Sequence, residues 1–513
     1  MNAREWRPRP LRASPETLVA FLCPLLSGGL SLWLGADFNY DLRHYHFYNG
    51  YALLHGRFEH DLAPAGIQSF FNPLQDGLYY LGIRHLPPRL FGFLLGAAHG
   101  LNVVLVHRIA RHALAADPHR GALALLATLL ALLGSNAVSL LGTTTGDTLV
   151  SVPALLAVLL ALGGGWSRLL AGLAAGAAAG LKLTMLVPAA ALFAAVAAAA
   201  GPAGRAALPR VALGAVLGFL ATGGWWSWRL LERFASPVFP FLNGLFRSPF
   251  FRPDGVVEPR FTAREWWEGL SLPFQIAMGW TSGLQEIRFR DPRFLLVFAA
   301  LGVWLAARAG ARLGEEAHLG GGGRLGGAAR LVVVFWLGAY LLWAYGLHYY
   351  RYAAVLEFLA PVVVLVLLRA TPWGRWPLVA AVTLVALLAS RPVSWGRLPW
   401  AADWFGVALP ALERPAEALV ITAGERVAYV APSFPEATVF VGLTRRGSPW
   451  LDGLVARRLS AHRGSAYVLP GVGATPRDAV RFGWIPAGDC LPIATRDGGL
   501  CLYPLRRSVP RAR

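Results

Sequence analysis

Long apolar runs dominate this chain, and they leave few architectures open to it. Runs at 17–35, 89–107, 331–347 and 353–369 approach or exceed the roughly 17–25 residues needed to cross a bilayer. Inside lipid the backbone must satisfy its own hydrogen bonds, so such runs are helices. The composition agrees: only 15% of the 513 residues are charged, against about 25% in a soluble domain. The expected fold is an all-α polytopic membrane domain over 1–391 with about eleven spanning helices. These lie near 17–35, 89–107, 121–140, 148–164, 168–181, 184–200, 211–228, 294–308, 331–347, 353–369 and 376–390. Residues 73–86 read as a short amphipathic helix lying at the interface.

The net charge of +19 would suggest nucleic acid on a soluble protein. Here the arginines fall mostly between apolar runs, with no basic stripe interleaved with aromatics, so nucleic acid is not an expected partner. With the N-terminus inside, the short inner loops collect Arg108, Arg111, Arg120, Arg168, Arg205, Arg210, Arg308, Arg312, Arg324, Arg330, Arg369 and Arg375. The short outer loops carry almost none. By the positive-inside rule the expectation is an inner, multi-pass cell-membrane protein with a cytoplasmic N-terminus and an extracytoplasmic C-terminal domain. The run Leu18–Leu34 lacks a small-residue cleavage site and reads as the first span, not a removable signal. Two long segments, 36–88 and 229–293, are expected outside. Trp225, Trp226, Trp228, Trp266 and Trp267, at the start of and within the second, are suited to the interface.

The tail, 392–513, changes character. β-rich runs at Ala418–Thr422, Val427–Val430, Thr438–Val441 and Ala466–Leu469, broken by turn residues, predict a small α/β domain. A hairpin around Arg496-Asp497-Gly498-Gly499 would bring Cys490 and Cys501 together, and an oxidising compartment would permit a disulfide. Cys23 falls in a span and reads as packing.

The unusual polar residues gather on the expected outer side. Asp37 and Asp41 follow the first span, Asp147 heads the fourth within a Gly/Thr-rich turn, Lys182 sits between the fifth and sixth, and Arg351-Tyr352 opens the tenth. Ionisable groups near the apolar layer are costly and are usually paired or functional. Asp37 and Asp41, four apart, would share a helix face. The run YNGYALLHGR reads as an amphipathic surface helix. Asp41 could act as a general base, and Asp147 could instead cap its helix. Of the 47 basic residues only Lys182 is a lysine. Where arginine serves everywhere else, a retained ammonium points to a need for a compact charge. Lys182 and Arg351 stand where a headgroup phosphate would be.

His44, His46, His55 and His60 do not have zinc spacing. No metal site and no cofactor is called for by a motif. A divalent cation such as Mg or Mn would want oxygen ligands, which Asp37, Asp41 and Asp147 could supply.

Together these segments resemble the GT-C membrane glycosyltransferases, in particular the protein O-mannosyltransferases and the lipid A aminoarabinose transferases. Asp41-Leu-Arg-His-Tyr45 and the helix ending His55-Gly56-Arg57 resemble their first outer loop, although Leu42 stands where a second acid is usual. GDTLVSVPALLAVLLAL, GLAAGAAAGLKLTMLVPAAAL and HYYRYAAVLEFLAP resemble their second acidic motif, their Gly-rich helix ending in Lys, and their Arg-Tyr segment. The resemblance covers roughly 15–370. It implies transfer of a sugar from a polyprenyl-phosphate donor to a glycan, lipid or protein acceptor. By that analogy Asp41 is the base, Asp37 and Asp147 are further catalytic acids, and Lys182, Arg351 and Tyr352 hold the donor phosphate. The competing expectations are a surface-polysaccharide polymerase or ligase, which tends to carry its key Arg and His on late loops, and a transporter, which would show inverted repeats and mid-bilayer charges.

Overall fold

The computed structural model describes residues 14–199, 201–256, 261–263, 265–280, 288–312, 324–412, 414–443 and 448–508. It is a helical bundle with a small sheet domain seated on one end. The chain enters as α1 (Pro15–Leu34), whose inner face is Val19, Cys23, Ser27, Gly28 and Ser31 while Phe21, Leu25, Leu26 and Trp33 point outward. The first of the two segments expected outside, 36–88, follows: strand β1 (Ala36–Asp37), a π-turn (Leu42–His46), α2 (Phe47–Leu54), α3 (Arg57–His60) and α4 (Leu74–His85). Then come α5 (Pro88–Ala113), α6 (Arg120–Leu132), the single turn α7 (Ser135–Ser139), α8 (Asp147–Ala161), α9 (Trp166–Leu181), α10 (Leu186–Ala199) and α11 (Gly201–Phe219). Through a π-turn α11 continues into α12 (Trp225–Phe234). The second segment expected outside, 229–293, holds α13 (Asn243–Phe246) and α14 (Trp266–Met278). The bundle closes with α15 (Arg293–Arg312), α16 (Gly327–Tyr345), α17 (Ala354–Arg369) and α18 (Trp376–Ala389).

A helix lies at each of the eleven expected positions, and the 73–86 helix is present as α4. Among the described residues, six helical stretches are long and apolar enough to cross a membrane: Pro15–Leu34, Pro88–Ala113, Gly201–Phe234, Arg293–Gly310, Gly327–Tyr345 and Tyr350–Arg369. The others are shorter. α6 has 13 residues and α9 has 16, about 20–24 Å at 1.5 Å per residue. The 121–140 run is not one helix. It breaks at Gly134, whose backbone is extended, and resumes as α7. The freed N–H groups of α7 are met by two buried carboxylates: Glu357 accepts from Asn136 N at 3.0 Å and Ala137 N at 2.9 Å, and Asp291 from Ser135 N at 2.9 Å. A helix can break in an apolar interior only where such partners exist.

Two packing features fix the bundle. α17 is buried on every side from Ala354 to Leu368, as a helix that is apolar all round must be. α9 and α11 touch backbone to backbone through Gly172, Gly176, Gly214 and Gly218. A Cβ on Gly176 would fall 1.9 Å from the Ala215 carbonyl oxygen. This four-residue glycine spacing is the small-residue contact that drives helix pairing in lipid.

The tail forms β2 (Arg397–Leu398), β3 (Leu419–Ala423), β4 (Val439–Leu443), α19 (Pro449–Ala461), β5 (Ala466–Pro470), β6 (Trp484–Pro486), β7 (Leu491–Ile493) and β8 (Leu500–Arg507). Sheet order is β4-β3-β5-β8-β6, with β7 on β8; β3 is parallel to β4 and β5, while β8 is antiparallel to its neighbours. The expected strand at Val427–Val430 is instead part of a 3-10 turn, Ala428–Ser433, which carries the chain across between two parallel strands. β3 is buried on both faces, as parallel strands are. Leu419 and Ile421 face α19, and Val420 faces the first outer segment. The hairpin closes Cys490–Cys501, with Cα atoms 5.2 Å apart. Cys23 is buried between helices.

The sheet domain is locked to the bundle. β1 pairs β2, and Leu62 adds to the edge of β4. Buried Arg57 pairs with Asp61 and also donates to the carbonyls of Glu436 and Thr438. Because this domain lies on it, the YNGYALLHGR helix is buried from Phe47 to Ala52 instead of lying on the membrane surface.

Candidate active site

Four charged side chains from four distant segments meet where α1, α8, α9 and α17 end together. Arg351, in the 3-10 turn that opens α17, forms an ion pair with Asp41. Its guanidinium also lies 4.0 Å from Asp147 Oδ2. Lys182, where α9 stops, donates to Asp147 Oδ1 at 2.6 Å and to the Thr145 carbonyl at 2.9 Å. Tyr352 lies between the cations: its ring centre is 5.3 Å from Lys182 Nζ and 5.2 Å from the Arg351 guanidinium carbon, a cation–π contact on both counts. Trp395 stands 5.9 Å from the same guanidinium. Asp41, Asp147, Lys182, Arg351 and Tyr352 are thus one constellation.

Local structure explains each position. α9 halts at Lys182 because its backbone turns extended there, and Asn72 holds the end by donating to the Gly180 carbonyl at 2.7 Å. Asp147 is the first residue of α8 but does not cap it; its carboxylate goes to Lys182 instead, and its Oδ2 is buried without a hydrogen bond from the described residues. Asn136 donates to the carbonyls of Tyr350 and Arg351, and the Tyr350 hydroxyl donates to Glu357 Oε2 at 2.5 Å. The buried acid of α17 therefore anchors the turn that presents Arg351.

Asp37 does not join the constellation and shares no helix face with Asp41, because it lies in extended β1. Its carboxylate accepts from Thr144 N at 2.8 Å, Thr144 Oγ1 at 2.7 Å and Asn39 Nδ2 at 2.7 Å. It ties the first outer segment to the Gly/Thr-rich turn. Burial pushes its carboxyl above the ordinary range. Burial also acts to raise Asp41, but the charges of Arg351, His46 and Lys182 outweigh it and hold Asp41 below the ordinary carboxylate range.

With Asp41 and Asp147 matched to cations and Asp37 bound to Thr144 and Asn39, the acids are spoken for. Among the described residues, no three His, Cys, Asp or Glu side chains gather as a metal shell. This donor set does not fit the oxygen-rich coordination that Mg or Mn demands.

Sequence reasoning missed Glu357, Asp291, Arg293 and the pair His46–Asp76. Glu357 had a readable signal, being a lone acid inside an apolar helix. Asp76 had none, since its partner is thirty residues away. No family model, no curated protein and no solved structure matches the chain.

Proposed function

We propose that the chain is a GT-C-type membrane glycosyltransferase that moves a sugar from a polyprenyl-phosphate donor to a glycan, lipid or protein acceptor on the extracytoplasmic face. In this reading all eleven helices belong to the membrane domain, the N-terminus is cytoplasmic, and the sheet domain and the constellation lie outside. The observation that carries it is the meeting of Lys182 and Arg351 over one aromatic ring at one end of the bundle, each steadied by a carboxylate. Two fixed cations at headgroup depth suit a lipid-borne phosphate. As the bond from the sugar to phosphate breaks, negative charge grows on the departing oxygen, and preplaced cations stabilise it without reorganising. Lys182, 15% exposed against 0% for Asp147, marks the side open to the lipid phosphate. The acceptor approaches from the Asp41 side.

The test is direct. Purified protein is given radiolabelled polyprenyl-phosphate sugars, and transfer is followed. Lys182→Ala should raise the KM for donor more than that for acceptor; the opposite order contradicts the phosphate role.

A further inference from the structure

We propose that His46, aligned by Asp76, takes the proton from the acceptor hydroxyl; this rests on the glycosyltransferase reading above and names a catalytic base for it.

Three observations carry it. The first is the pair itself. His46 Nδ1 lies 2.5 Å from Asp76 Oδ1, with the two side chains 2% and 1% exposed. A carboxylate on Nδ1 fixes the proton there and leaves the Nε2 lone pair to act as base. The second is that Nε2 is buried and has no hydrogen-bond partner among the described residues. An unmet buried nitrogen costs free energy, so the site holds a basic atom ready for a donor that arrives with a ligand. The third is the backbone. In an α-helix the fifth residue on lies about 140° round the axis. Here the chain from Leu42 to His46 is a π-turn, with Phe47 N bonded to Leu42 O. The wider turn swings His46 back toward the face that carries Asp41. π-turns of this kind are frequent at functional sites.

Asp41 is the weaker base of the two. It is tied to Arg351 and held below its ordinary range, and a poorly basic group is a poor proton acceptor. The groups facing His46 are Asp41 and Tyr45 from its own segment, and Asp76 and Tyr79 from α4, with ring centres 4.0 Å from Tyr45 and 5.5 Å from Tyr79. Asp41 is then a positioning residue that holds Arg351 on the donor.

The step balances. The acceptor oxygen forms the bond to the anomeric carbon. The bond from that carbon to the phosphate oxygen breaks, its electron pair leaving with polyprenyl phosphate beside Lys182 and Arg351. The hydroxyl proton passes to His46 Nε2.

The experiment uses the full-length protein in lipid discs with radiolabelled short-chain polyprenyl-phosphate hexoses and pentoses, envelope glycolipid as acceptor, and a separate binding assay with polyprenyl phosphate. His46→Gln should bind polyprenyl phosphate and keep its donor KM, while kcat falls about 10²–10⁴-fold. Asp76→Asn should lower kcat less, and Asp41→Asn should instead weaken polyprenyl phosphate binding. Wild-type kcat in His46→Gln, or kcat lost in Asp41→Asn with polyprenyl phosphate binding intact, overturns the assignment. So does a His46→Gln variant whose loss of kcat merely follows its loss of polyprenyl phosphate binding. A wild-type protein that transfers no sugar from the panel sinks the glycosyltransferase reading and this inference with it.

Discussion

The Lys182–Asp147 pair shows how closely charge is balanced at this site. Two acids and two bases sum to zero, and Asp147 is fully buried. Removing one partner from such a pair leaves a charge that neither water nor protein compensates, at a cost of about 3–5 kcal/mol. Lys182→Met should therefore lower the unfolding midpoint in detergent. The double variant Lys182→Met with Asp147→Asn should recover most of the loss, because contacting partners do not add. Equal losses in the single and double variants would show that the pair is not coupled. The constellation was legible in the sequence because each member is a polar residue beside an apolar run, where a charge needs a reason. Asp37 was legible as unusual but not as structural. Its partner Thr144 is 107 residues away, and nothing in the local spacing tells a knot-forming acid from a catalytic one. His46–Asp76 was hidden for the same reason, and also because a π-turn shifts the facing by one residue.

Helix positions could be read from hydropathy, but helix lengths could not. α5 runs on past the expected end at 107 to Ala113, and the 121–140 run is broken by buried carboxylates that hydropathy does not see. The expected break at Lys182 is present: α9 ends at Leu181 and α10 begins at Leu186. What aims Lys182 is the glycine contact of α9 with α11. Gly176→Ile should force the two helices apart, since even a Cβ there meets the Ala215 carbonyl oxygen at 1.9 Å. Both thermal stability and polyprenyl phosphate binding should fall. Gly302→Ala in α15 is the control: nothing lies within 4 Å of its Cβ position, and replacing a helical glycine there should raise stability by up to about 1 kcal/mol. If Gly176→Ile leaves binding untouched, the glycine seam does not position the lysine.

At the scale of the whole molecule, the sheet domain is less an appendage than the lid of the first outer segment. They share one apolar core, in which Phe38, Tyr45 and Phe47 pack with Val420, Tyr467 and Leu502. The change in composition near 392 could be read from the sequence, but this shared core could not, because the contacts join residues hundreds of positions apart. The arrangement makes orientation testable. If the constellation faces away from the cytoplasm, the domain clamped beside it does too, and its Cys490–Cys501 bridge sits in an oxidising compartment, where such bridges persist. Arg308 in the last turns of α15 and Arg330 in the first turn of α16 then lie inside, as the positive-inside rule requires. After mild reduction of intact cells, a membrane-impermeant maleimide should label Cys490 and Cys501 without permeabilisation, whereas Cys23, buried between helices, should stay unlabelled. Substituting both bridge cysteines by serine should abolish the labelling. It should also cost the sheet domain about 2–3 kcal/mol through loss of a short closed loop, read as faster cleavage of the tail by added protease. Labelling that appears only after the membrane is opened would turn the molecule over, placing Lys182 and Arg351 where nucleotide sugars are found and removing the reason for a lipid-borne donor.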